Sequence, residues 1–306
     1  EVPLYINTKH NPSDDPSRDV PLRGPRACPA WARPLVTPAA DTRSLAFVLA
    51  LGRPRRGRPR RLRICLEVYS GCGQLTRNMQ HCGLHVGRPW EAYPRKKVYV
   101  RIGDVNDDQV YDSLMNSILA GYVFYVHFGC PCKTWGAAAR LNGCTRTADC
   151  PQGNGSLPRE VEANLEVDRV CALCAALIIA GGFFSIENPA GSYLFKYCPV
   201  ARLSTITQCW QFNFFQCFYA LHLPGADKHV LYQRRISILT NLEELRTLKQ
   251  SCPGFSPTHR HESAWGSRVV QGKSVSLARA AGAYPVGLCK IWAQKVKEAY
   301  ASRQAM

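Results

Sequence analysis

A cysteine and a glutamate each follow an apolar run of this sequence. Cys132 lies in the segment Gly-Cys-Pro-Cys-Lys at 129–133, and Glu187 opens the segment Glu-Asn-Pro at 187–189. The preceding runs, rich in β-branched and aromatic residues, predict strands, and α/β sheets bind ligands beyond the carboxyl ends of their strands. A thiol is intrinsically nucleophilic, and a neighbouring cation such as Lys133 raises its thiolate fraction. A carboxyl group emerging from an apolar strand is partly desolvated, so its pKa rises towards that of a useful proton donor.

This pair predicts covalent catalysis, with Cys132 as the nucleophile and Glu187 as the proton donor. The chain has fifteen cysteines, and most cysteines in such a chain are small buried hydrophobic residues. A structural carboxylate that caps a neighbouring loop is the corresponding alternative for Glu187. The position of Cys132 after Pro131 in a strand-terminal loop, combined with Glu187, favours the catalytic interpretation.

A glycine-containing loop follows the first predicted strand. The segment Tyr-Ser-Gly-Cys-Gly at 69–73 separates the strand-like run 62–69 from a predicted helix that starts near Gln74. Gly71 and Gly73 let a ligand approach backbone N–H groups and a helix N-terminus. A dinucleotide fingerprint needs a third glycine where Thr76 stands, and a P-loop needs Gly-Lys-Ser/Thr, which argues against NAD and ATP. An ordinary strand-to-helix turn explains the loop equally well.

Two acidic residues stand where a nucleoside cofactor needs hydrogen-bond acceptors. Glu91 ends the second strand-like run and could accept both ribose hydroxyls, and Asp104 ends the third and could accept from an adenine amino group. Either residue alone is readily explained as a solvated carboxylate. Because both follow the appropriate strands, the sequence favours a nucleoside-cofactor site.

The elements that position these residues alternate between strand-like and helix-like patterns. Strands are predicted at 62–69, 85–90, 98–102, 122–128, 183–187, 209–215 and 236–240, and helices at 74–82, 107–120, 159–180, 242–250, 274–283 and 286–300. This alternation predicts an α/β domain over 62–306, with a mostly parallel sheet and covering helices. The loop at 136–158, rich in Gly, Asn, Pro and Cys, is long enough to be an active-site lid.

The same motifs, in the same order, resemble those of cytosine-5 DNA methyltransferases. The resemblance covers about 62–300 and includes Tyr-Ser-Gly-Cys-Gly at 69–73, Glu91, Gly-Asp-Val at 103–105, Pro-Cys at 131–132, Glu-Asn at 187–188, Gln-Arg-Arg at 233–235, Ser-Val-Ser-Leu-Ala-Arg-Ala-Ala at 274–281 and Tyr-Pro at 284–285. The chain looks closest to divergent methyltransferase-like domains associated with some retroelements. It departs from the family at Cys130, Lys133 and Pro189, and at Ser237, where the family's last arginine stands.

The resemblance implies a Rossmann-like S-adenosylmethionine-dependent methyltransferase fold with helices on both faces of the sheet. It implies that S-adenosylmethionine is held by Tyr69, Gly71, Gly73, Glu91 and Asp104. Cys132 would attack C6 of a cytosine flipped out of the duplex, while Glu187 stabilises its protonated N3 and Arg235 orients the nucleophile loop and substrate. Methylation of RNA cytosine and a catalytically silent DNA-binding domain remain the alternatives.

The charge of the chain favours a nucleic-acid partner. The formal net charge is +17 and the pI is about 9.4, and Lys and Arg that neutralise phosphates drive binding to nucleic acid irrespective of sequence. An anionic membrane surface is the weaker alternative. No membrane-spanning segment is predicted, because glycines at 181–182 divide the longest apolar stretch.

The first sixty-one residues are rich in Pro, Arg, Asp and Ser and predict a mostly disordered basic arm. Its segment Arg56-Gly57-Arg58-Pro59 resembles an AT-hook, which lies in the narrow minor groove of A·T-rich DNA. A nuclear-import signal or a solvated basic linker explains these residues equally well. The arm and the expected DNA substrate together predict a nuclear location.

Scattered cysteines in a long chain indicate reduced thiols rather than a disulfide framework. Cys252, His259 and His261 form a compact group with no obvious fourth ligand. A second set consists of Cys144, Cys150, Cys171 and Cys174, but the last two lie in a helix-like apolar run where burial is the simpler explanation. The sequence therefore predicts no metal site.

Overall fold

A seven-stranded sheet forms the centre of the molecule. The computed structural model describes residues 63–92, 100–223, 225, 227–264, 266–270 and 272–305. The predicted arm, including Arg56, Gly57, Arg58 and Pro59, lies outside these residues. The strands are β1 Ile64–Val68, β2 Trp90–Glu91, β3 Arg101–Ile102, β4 Val123–Gly129, β5 Phe183–Pro189, β6 Trp210–Phe215, β7 Val230–Tyr232, β8 Arg235–Thr240, β9 Arg260–Glu262, β10 Ser267–Val270 and β11 Lys273–Ser276.

The strand order of the large sheet is β3-β2-β1-β4-β5-β8-β6. Strands β1 to β5 run parallel, whereas β8 is antiparallel to both of its neighbours, β5 and β6. Two small sheets lie apart from it, with β7 parallel to β9 and β10 antiparallel to β11. The carboxyl ends of β1 to β5 therefore share one edge of the sheet.

Helices cover both faces of this sheet. They are α1 Gln74–His81, α2 Asp108–Leu119, α3 Pro158–Ile179, α4 Cys198–Ile206, α5 Leu277–Ala280 and α6 Val286–Ala305, and 3₁₀ helices lie at Ala137–Asn142, Tyr193–Lys196, Gln216–Tyr219 and Glu243–Leu248. Helices α2, α3 and α4 pack on one face around Phe128 and Ile186. Helices α1 and α6 pack on the other face around Tyr125 and Ile238. Central strands covered on both faces are buried along nearly their whole length, as β4 is.

The predicted fold class is confirmed: the domain is α/β and Rossmann-like, with a mostly parallel sheet between two helical layers. This strand order, with one antiparallel strand inserted next to the last, is consistent with the methyltransferase fold expected from the motifs. Among the described residues, none of the helices has both the length and the apolar character needed to cross a membrane.

Most predicted elements agree with the structure to within a few residues, but three differ. The predicted strand 85–90 is reduced to an isolated bridge at Val86 and the two-residue strand β2. The predicted helix 242–250 is a 3₁₀ helix at Glu243–Leu248. The predicted helix 274–283 begins as β11, since the alternating Ser-Val-Ser pattern pairs with β10, and only Leu277–Ala280 is helical.

Candidate active site

The loop that carries Cys132 follows β4 and is fixed to β5. The Asn188 side-chain amide, which is fully buried, donates to the Cys130 carbonyl oxygen over 2.8 Å. The Trp135 amide donates to the Cys132 carbonyl oxygen over 3.2 Å, which closes a tight turn around the cysteine. Cys130 is buried and Cys132 is exposed. The turn therefore presents Cys132 at the carboxyl edge of the sheet while the preceding cysteine is part of the core.

The charges around Cys132 act on its pKa in opposite directions. Partial desolvation raises the pKa of this thiol, and Glu187 raises it further, whereas the positive charges of Arg234 and Lys133 lower it. Arg234 is the stronger of the two cations. Because the net effect is a raised pKa, Cys132 is mainly a thiol at neutral pH.

Glu187 lies beside the loop that carries Cys132, since it pairs in register with Gly129 at the end of β4. Its side chain is only 6% exposed, and burial raises the pKa of its carboxyl group against the opposing effects of Arg234 and Tyr284. The Tyr284 hydroxyl donates to Oε2 over 2.9 Å. The other oxygen, Oε1, is buried and has no hydrogen-bond partner among the described residues. Glu187 is thus a carboxyl group with one oxygen held and the other available.

A chain of buried hydrogen bonds extends from Tyr284 to helix α6. The Tyr284 hydroxyl lies 2.9 Å from His127 Nε2, and His127 Nδ1 lies 2.8 Å from Ser185 Oγ. The Tyr125 hydroxyl lies 2.5 Å from Ser185 Oγ. Trp292 Nε1 of α6 donates to the Tyr125 hydroxyl over 2.8 Å.

The donors in this chain follow one consistent direction. Burial lowers the pKa of His127 to about 3, so the ring is neutral. Since indole is a donor only and Tyr284 donates to Glu187, we assign the hydrogen of His127 to Nε2, with Ser185 donating to Nδ1. Every member then donates towards Glu187, and the network fixes the carboxyl group from the side opposite its open oxygen.

The two neighbouring arginines of the Gln-Arg-Arg segment have different surroundings. The guanidinium group of Arg234 donates to the Ala281 carbonyl oxygen over 2.7 Å and acts electrostatically on both Cys132 and Glu187. Arg235, to which the motif comparison assigns the orienting role, is exposed, and its guanidinium group lies 5.8 Å from the centre of the Phe215 ring. The structure therefore brings Arg234, and not Arg235, to Cys132 and Glu187.

The residues predicted to bind a cofactor lie in adjacent loops at the same sheet edge. Tyr69, Gly71 and Gly73 have φ angles of 60°, 57° and 65°. This left-handed region suits glycine but strains the backbone of a residue with a side chain, as at Tyr69. The Gly71 amide donates to Glu91 Oε2 over 2.6 Å, which joins the loop after β1 to the end of β2. A Cβ atom at Gly71 would meet nothing within 4 Å. Open space therefore lies directly beside this part of the backbone.

Thr76, where a dinucleotide fingerprint would need glycine, has a structural partner. Its amide and hydroxyl donate to Glu67 Oε2 over 2.8 and 2.6 Å. Glu67 is fully buried in β1, and burial raises the pKa of its carboxyl group to about 7. The start of α1 is thus tied to the strand below it by a side chain and not by close glycine packing.

Asp104 lies close to a second acidic residue, Glu166, which the sequence motifs do not include. Asp104 follows β3 and accepts at Oδ1 from the Asn106 amide over 2.8 Å, and burial raises the pKa of its carboxyl group. Glu166 of α3 lies close to Asp104 and to the Tyr69 hydroxyl, and desolvation followed by repulsion from Asp104 raises its pKa strongly. Sequence reasoning missed Glu166, because a lone acidic residue in a helix resembles a solvated one.

Together these groups fit S-adenosylmethionine, whose sulfonium and amino groups are cationic and whose ribose and adenine carry hydrogen-bond donors. The open backbone at Gly71 and the clustered carboxyl groups of Glu91, Asp104 and Glu166 offer space and hydrogen-bond acceptors. The residues that would hold it are those predicted from the sequence, Tyr69, Gly71, Gly73, Glu91 and Asp104, with Glu166 added.

The loop at 136–158, predicted as a lid, is anchored internally by a buried arginine. Arg146 is fully buried, stacks 3.5 Å from the centre of the Trp135 ring, and donates to the carbonyl oxygens of Pro151 and Glu160. The Glu160 carboxylate accepts from Thr145 and from the Arg146 amide. These contacts fix 144–151 against α3, whereas Leu141 of the preceding 3₁₀ helix is exposed.

Comparison with known proteins finds no matching family model and no matching curated protein. Among solved structures, a protein described as a DNA modification methyltransferase encoded within an E. coli prophage is 12% identical over 58% of this chain and 46% of its own, with a TM-score of 0.34. The Entamoeba histolytica methyltransferase EhMeth is 13% identical over 59% of this chain and 53% of its own, with a TM-score of 0.34. A mutant of Spodoptera frugiperda DNMT2 is 13% identical over 66% of this chain and 55% of its own, with a TM-score of 0.33.

The chain thus matches about half the length of each of these structures. Similarity this remote carries no conclusion about activity, which has to be inferred from the contacts of the chain itself.

Proposed function

We propose that this chain transfers a methyl group from S-adenosylmethionine to C5 of cytosine in DNA, with Cys132 as the nucleophile and Glu187 as the proton donor. The observation that carries the proposal is the environment of Glu187. A buried carboxyl group with a raised pKa, one oxygen held by Tyr284 and the other unpartnered among the described residues, suits protonation of a ring nitrogen. Its register with Gly129, at the end of β4, supports the pairing with Cys132 in the loop that follows.

Each residue has a separate task in this reaction. The Cys132 thiolate forms a bond from Sγ to C6 of cytosine, and protonation at N3 by Glu187 places the displaced electron pair at C5. When bound, S-adenosylmethionine supplies an electrophilic methyl group to that carbon. Loss of the C5 proton to a base and return of the N3 proton to Glu187 then re-form the C5–C6 double bond as Sγ leaves C6. S-adenosylhomocysteine is the other product. Arg234 favours the thiolate needed for the first step.

The net charge of +17 supports a nucleic-acid substrate but does not distinguish DNA from RNA. The target carbon of cytosine is inaccessible in a duplex, so the base must leave the stack to reach Cys132. A single-stranded RNA base needs no such step, and methylation of RNA cytosine is therefore the competing reaction to be tested.

Covalent trapping tests the reaction and the nucleophile together. DNA containing 5-fluorocytosine should form a stable adduct with the purified chain only when S-adenosylmethionine is present, since fluorine cannot leave C5 as a proton does. We expect the adduct to disappear in Cys132→Ala and to persist in Cys198→Ser, which changes an exposed cysteine of α4. Mass spectrometry of the adduct would identify the modified residue.

The alternatives predict different outcomes. An adduct with fluorinated RNA and none with DNA would replace the proposed substrate. Cofactor binding without an adduct on either nucleic acid would favour a catalytically silent binding domain, as would salt-sensitive DNA binding without turnover. An adduct that persists in Cys132→Ala would show that the nucleophile is another residue.

A further inference from the structure

We propose that the chain contains a structural zinc site formed by Cys217, Cys252, His259 and His261. One ligand atom from each residue lies within 4.8 Å of all the others, and they form the metal-competent Cys/His group found among the described residues. Cys217 belongs to the 3₁₀ helix after β6, and Cys252 to the loop after the 3₁₀ helix Glu243–Leu248. His259 immediately precedes β9, and His261 is the middle residue of that strand. Cys217 is the fourth ligand that the sequence did not reveal, because it lies far upstream of the other three.

The two distances from Cys252 to the histidines agree with tetrahedral coordination. Cys252 Sγ lies 3.5 Å from Nε2 of His259 and 3.5 Å from Nε2 of His261. Zn–S bonds of about 2.3 Å and Zn–N bonds of about 2.0–2.1 Å place sulfur and nitrogen about 3.6 Å apart at a tetrahedral angle. Both histidines present Nε2 to the thiol, and their rings are inclined at 84° with centres 4.8 Å apart.

The chemistry of the set favours zinc over a harder cation. Two thiols and two imidazoles suit Zn²⁺, whereas Mg²⁺ and Ca²⁺ need oxygen ligands. The Gly254 amide lies 3.4 Å from Cys252 Sγ and donates to it, which stabilises a thiolate. Because the four protein ligands complete a tetrahedron, no position remains open for a substrate or water, and the site is structural.

The surrounding chain explains why a metal would be needed. Most of residues 251–260 are exposed, including Phe255 at 81%, so this segment has little apolar burial to hold it in place. A bound metal would join it to the end of β6, and metal binding to such a segment is coupled to its folding. The metal site does not depend on the proposed methyl transfer.

Metal analysis of the full chain, purified without chelators and with any affinity tag removed, tests the site. We expect about one equivalent of zinc per chain in the wild type and in Cys198→Ser, and less than about a tenth of an equivalent in Cys252→Ser and His261→Ala. The wild-type chain should also bind Co²⁺ with the visible absorption of a tetrahedral thiolate complex, which Zn²⁺ then displaces. The cobalt spectrum gives an answer even if a variant fails to fold.

A ligand exchange provides an independent check. His259→Cys keeps four soft ligands and should retain the metal, with a stronger thiolate-to-cobalt charge-transfer band. The proposal fails if the zinc-supplemented wild type holds no stoichiometric metal, or if Cys252→Ser retains as much zinc as Cys198→Ser. It also fails if Cys217 and Cys252 are recovered as a disulfide from the freshly purified chain.

Discussion

At the scale of single residues, the activation of Cys132 depends on which arginine faces it. Desolvation and Glu187 raise the pKa of the thiol, and Arg234 is the main group that opposes them. The neighbouring Arg235 is the first residue of β8 and lies against Phe215 instead. Two adjacent arginines of the same charge therefore differ in their effect on the nucleophile.

We expect Arg234→Gln to slow alkylation of Cys132 by iodoacetamide at pH 7.5 by roughly threefold to tenfold, because removing the nearby cation raises the thiol pKa. The rate is measured by mass spectrometry of the peptide that contains Cys132. Arg235→Gln is the matched control and should react like the wild type. Equal slowing in Arg234→Gln and Arg235→Gln would contradict the assignment. So would an Arg234→Gln variant that reacts as fast as Arg234→Lys, which keeps the positive charge.

Tyr284 influences the pKa of Glu187, the proposed proton donor, as Arg234 influences that of Cys132. Its hydrogen bond to Glu187 lowers the pKa of the carboxyl group, so Tyr284→Phe should raise that pKa and leave Oε2 without its donor. We expect the rate of methyl transfer to fall by about tenfold or more, as when a hydrogen bond to a charged group is removed.

The pH profile separates this role from a purely structural one. Glu187 must be protonated to donate, so the rate falls as pH rises through its pKa. In Tyr284→Phe that descending limb should move to higher pH, while the stacking of residue 284 on Trp292 is preserved. A lower rate with an unchanged profile would mean that Tyr284 only maintains the shape of the site.

At the scale of elements, the junction of β1 and α1 contains a carboxyl group, that of Glu67, whose neutral form is favoured in the folded protein. Glu67 is fully buried and accepts from Thr76, and its pKa of about 7 lies above its ordinary value of 4.5. The folded state therefore holds a proton that the unfolded state has released between pH 4.5 and pH 7. Stability from this group is present at low pH and declines as pH rises through that window.

Glu67→Gln should remove this dependence, because an amide oxygen can still accept from Thr76 and never ionises. We expect the melting temperature of the variant to exceed that of the wild type increasingly from about pH 5 to about pH 8 and then level off. The free-energy difference should reach at most on the order of 3 kcal/mol. Thermal unfolding across this pH range measures it.

Glu160→Gln supplies a control of opposite sign. Hydrogen bonds from Thr145 and the charge of Arg146 lower the pKa of Glu160, so this variant should be less stable than the wild type above about pH 5. A constant difference between Glu67→Gln and the wild type at every pH would mean that Glu67 is ionised in the folded protein.

The sequence predicted the elements whose pattern is local. β4 and α3 agree closely with their predicted bounds. β4 is an unbroken apolar run and α3 begins with a proline, and both signals can be read without knowing the tertiary structure. β2 and β11 could not be predicted in the same way. β2 pairs with β1 through one residue and with β3 through two, and β11 exists because β10 lies beside it.

Within the site, the sequence located the residues that stand at strand ends but not those that reach them from elsewhere. Cys132 follows β4, and Glu187 lies near the carboxyl end of the adjacent parallel strand β5, so the sheet brings them together. Tyr284 and Glu166 arrive from distant segments. Tyr284 belongs to the Tyr-Pro segment of the family resemblance but had no role assigned to it, and Glu166 lies in none of the motifs. The choice between Arg234 and Arg235 depends on the direction in which each side chain leaves the start of β8, which a motif cannot supply.

At the scale of the whole molecule, the positive charge has more than one use. Seven arginines lie between Arg53 and Arg63, but the last of them belongs to the fold. Arg63 donates to the carbonyl oxygens of Val123 and Gly181, which join β4 to the turn before β5. That arginine is therefore a structural residue, and six remain upstream for a nucleic acid.

The AT-hook interpretation can be tested within this basic segment. Replacing Arg56 and Arg58 together by Ala should weaken binding to A·T-rich duplexes more than to G·C-rich ones, since both would lie in the narrow minor groove. The slope of log affinity against log salt concentration should also become shallower by about one for each phosphate that the arginines no longer neutralise. Fluorescence anisotropy at several salt concentrations measures both effects.

The matched control replaces Arg53 and Arg60 by Ala and removes the same charge outside the Arg-Gly-Arg-Pro core. This pair should lower affinity for both duplexes equally. If the two double variants weaken binding to the same extent, with no change in A·T preference, the segment acts as a basic linker.

The hydrogen-bond chain from Trp292 to Glu187 also has a consequence for the order in which the protein matures. The loops that carry Cys132 and the predicted cofactor residues precede Tyr284 and Trp292 in the chain by well over a hundred residues, so they are synthesised first. A nascent chain can therefore acquire its sheet before its proton donor is secured. The proposed chemistry would therefore begin only after the segment that carries Tyr284 and Trp292 has been synthesised and has packed against β4.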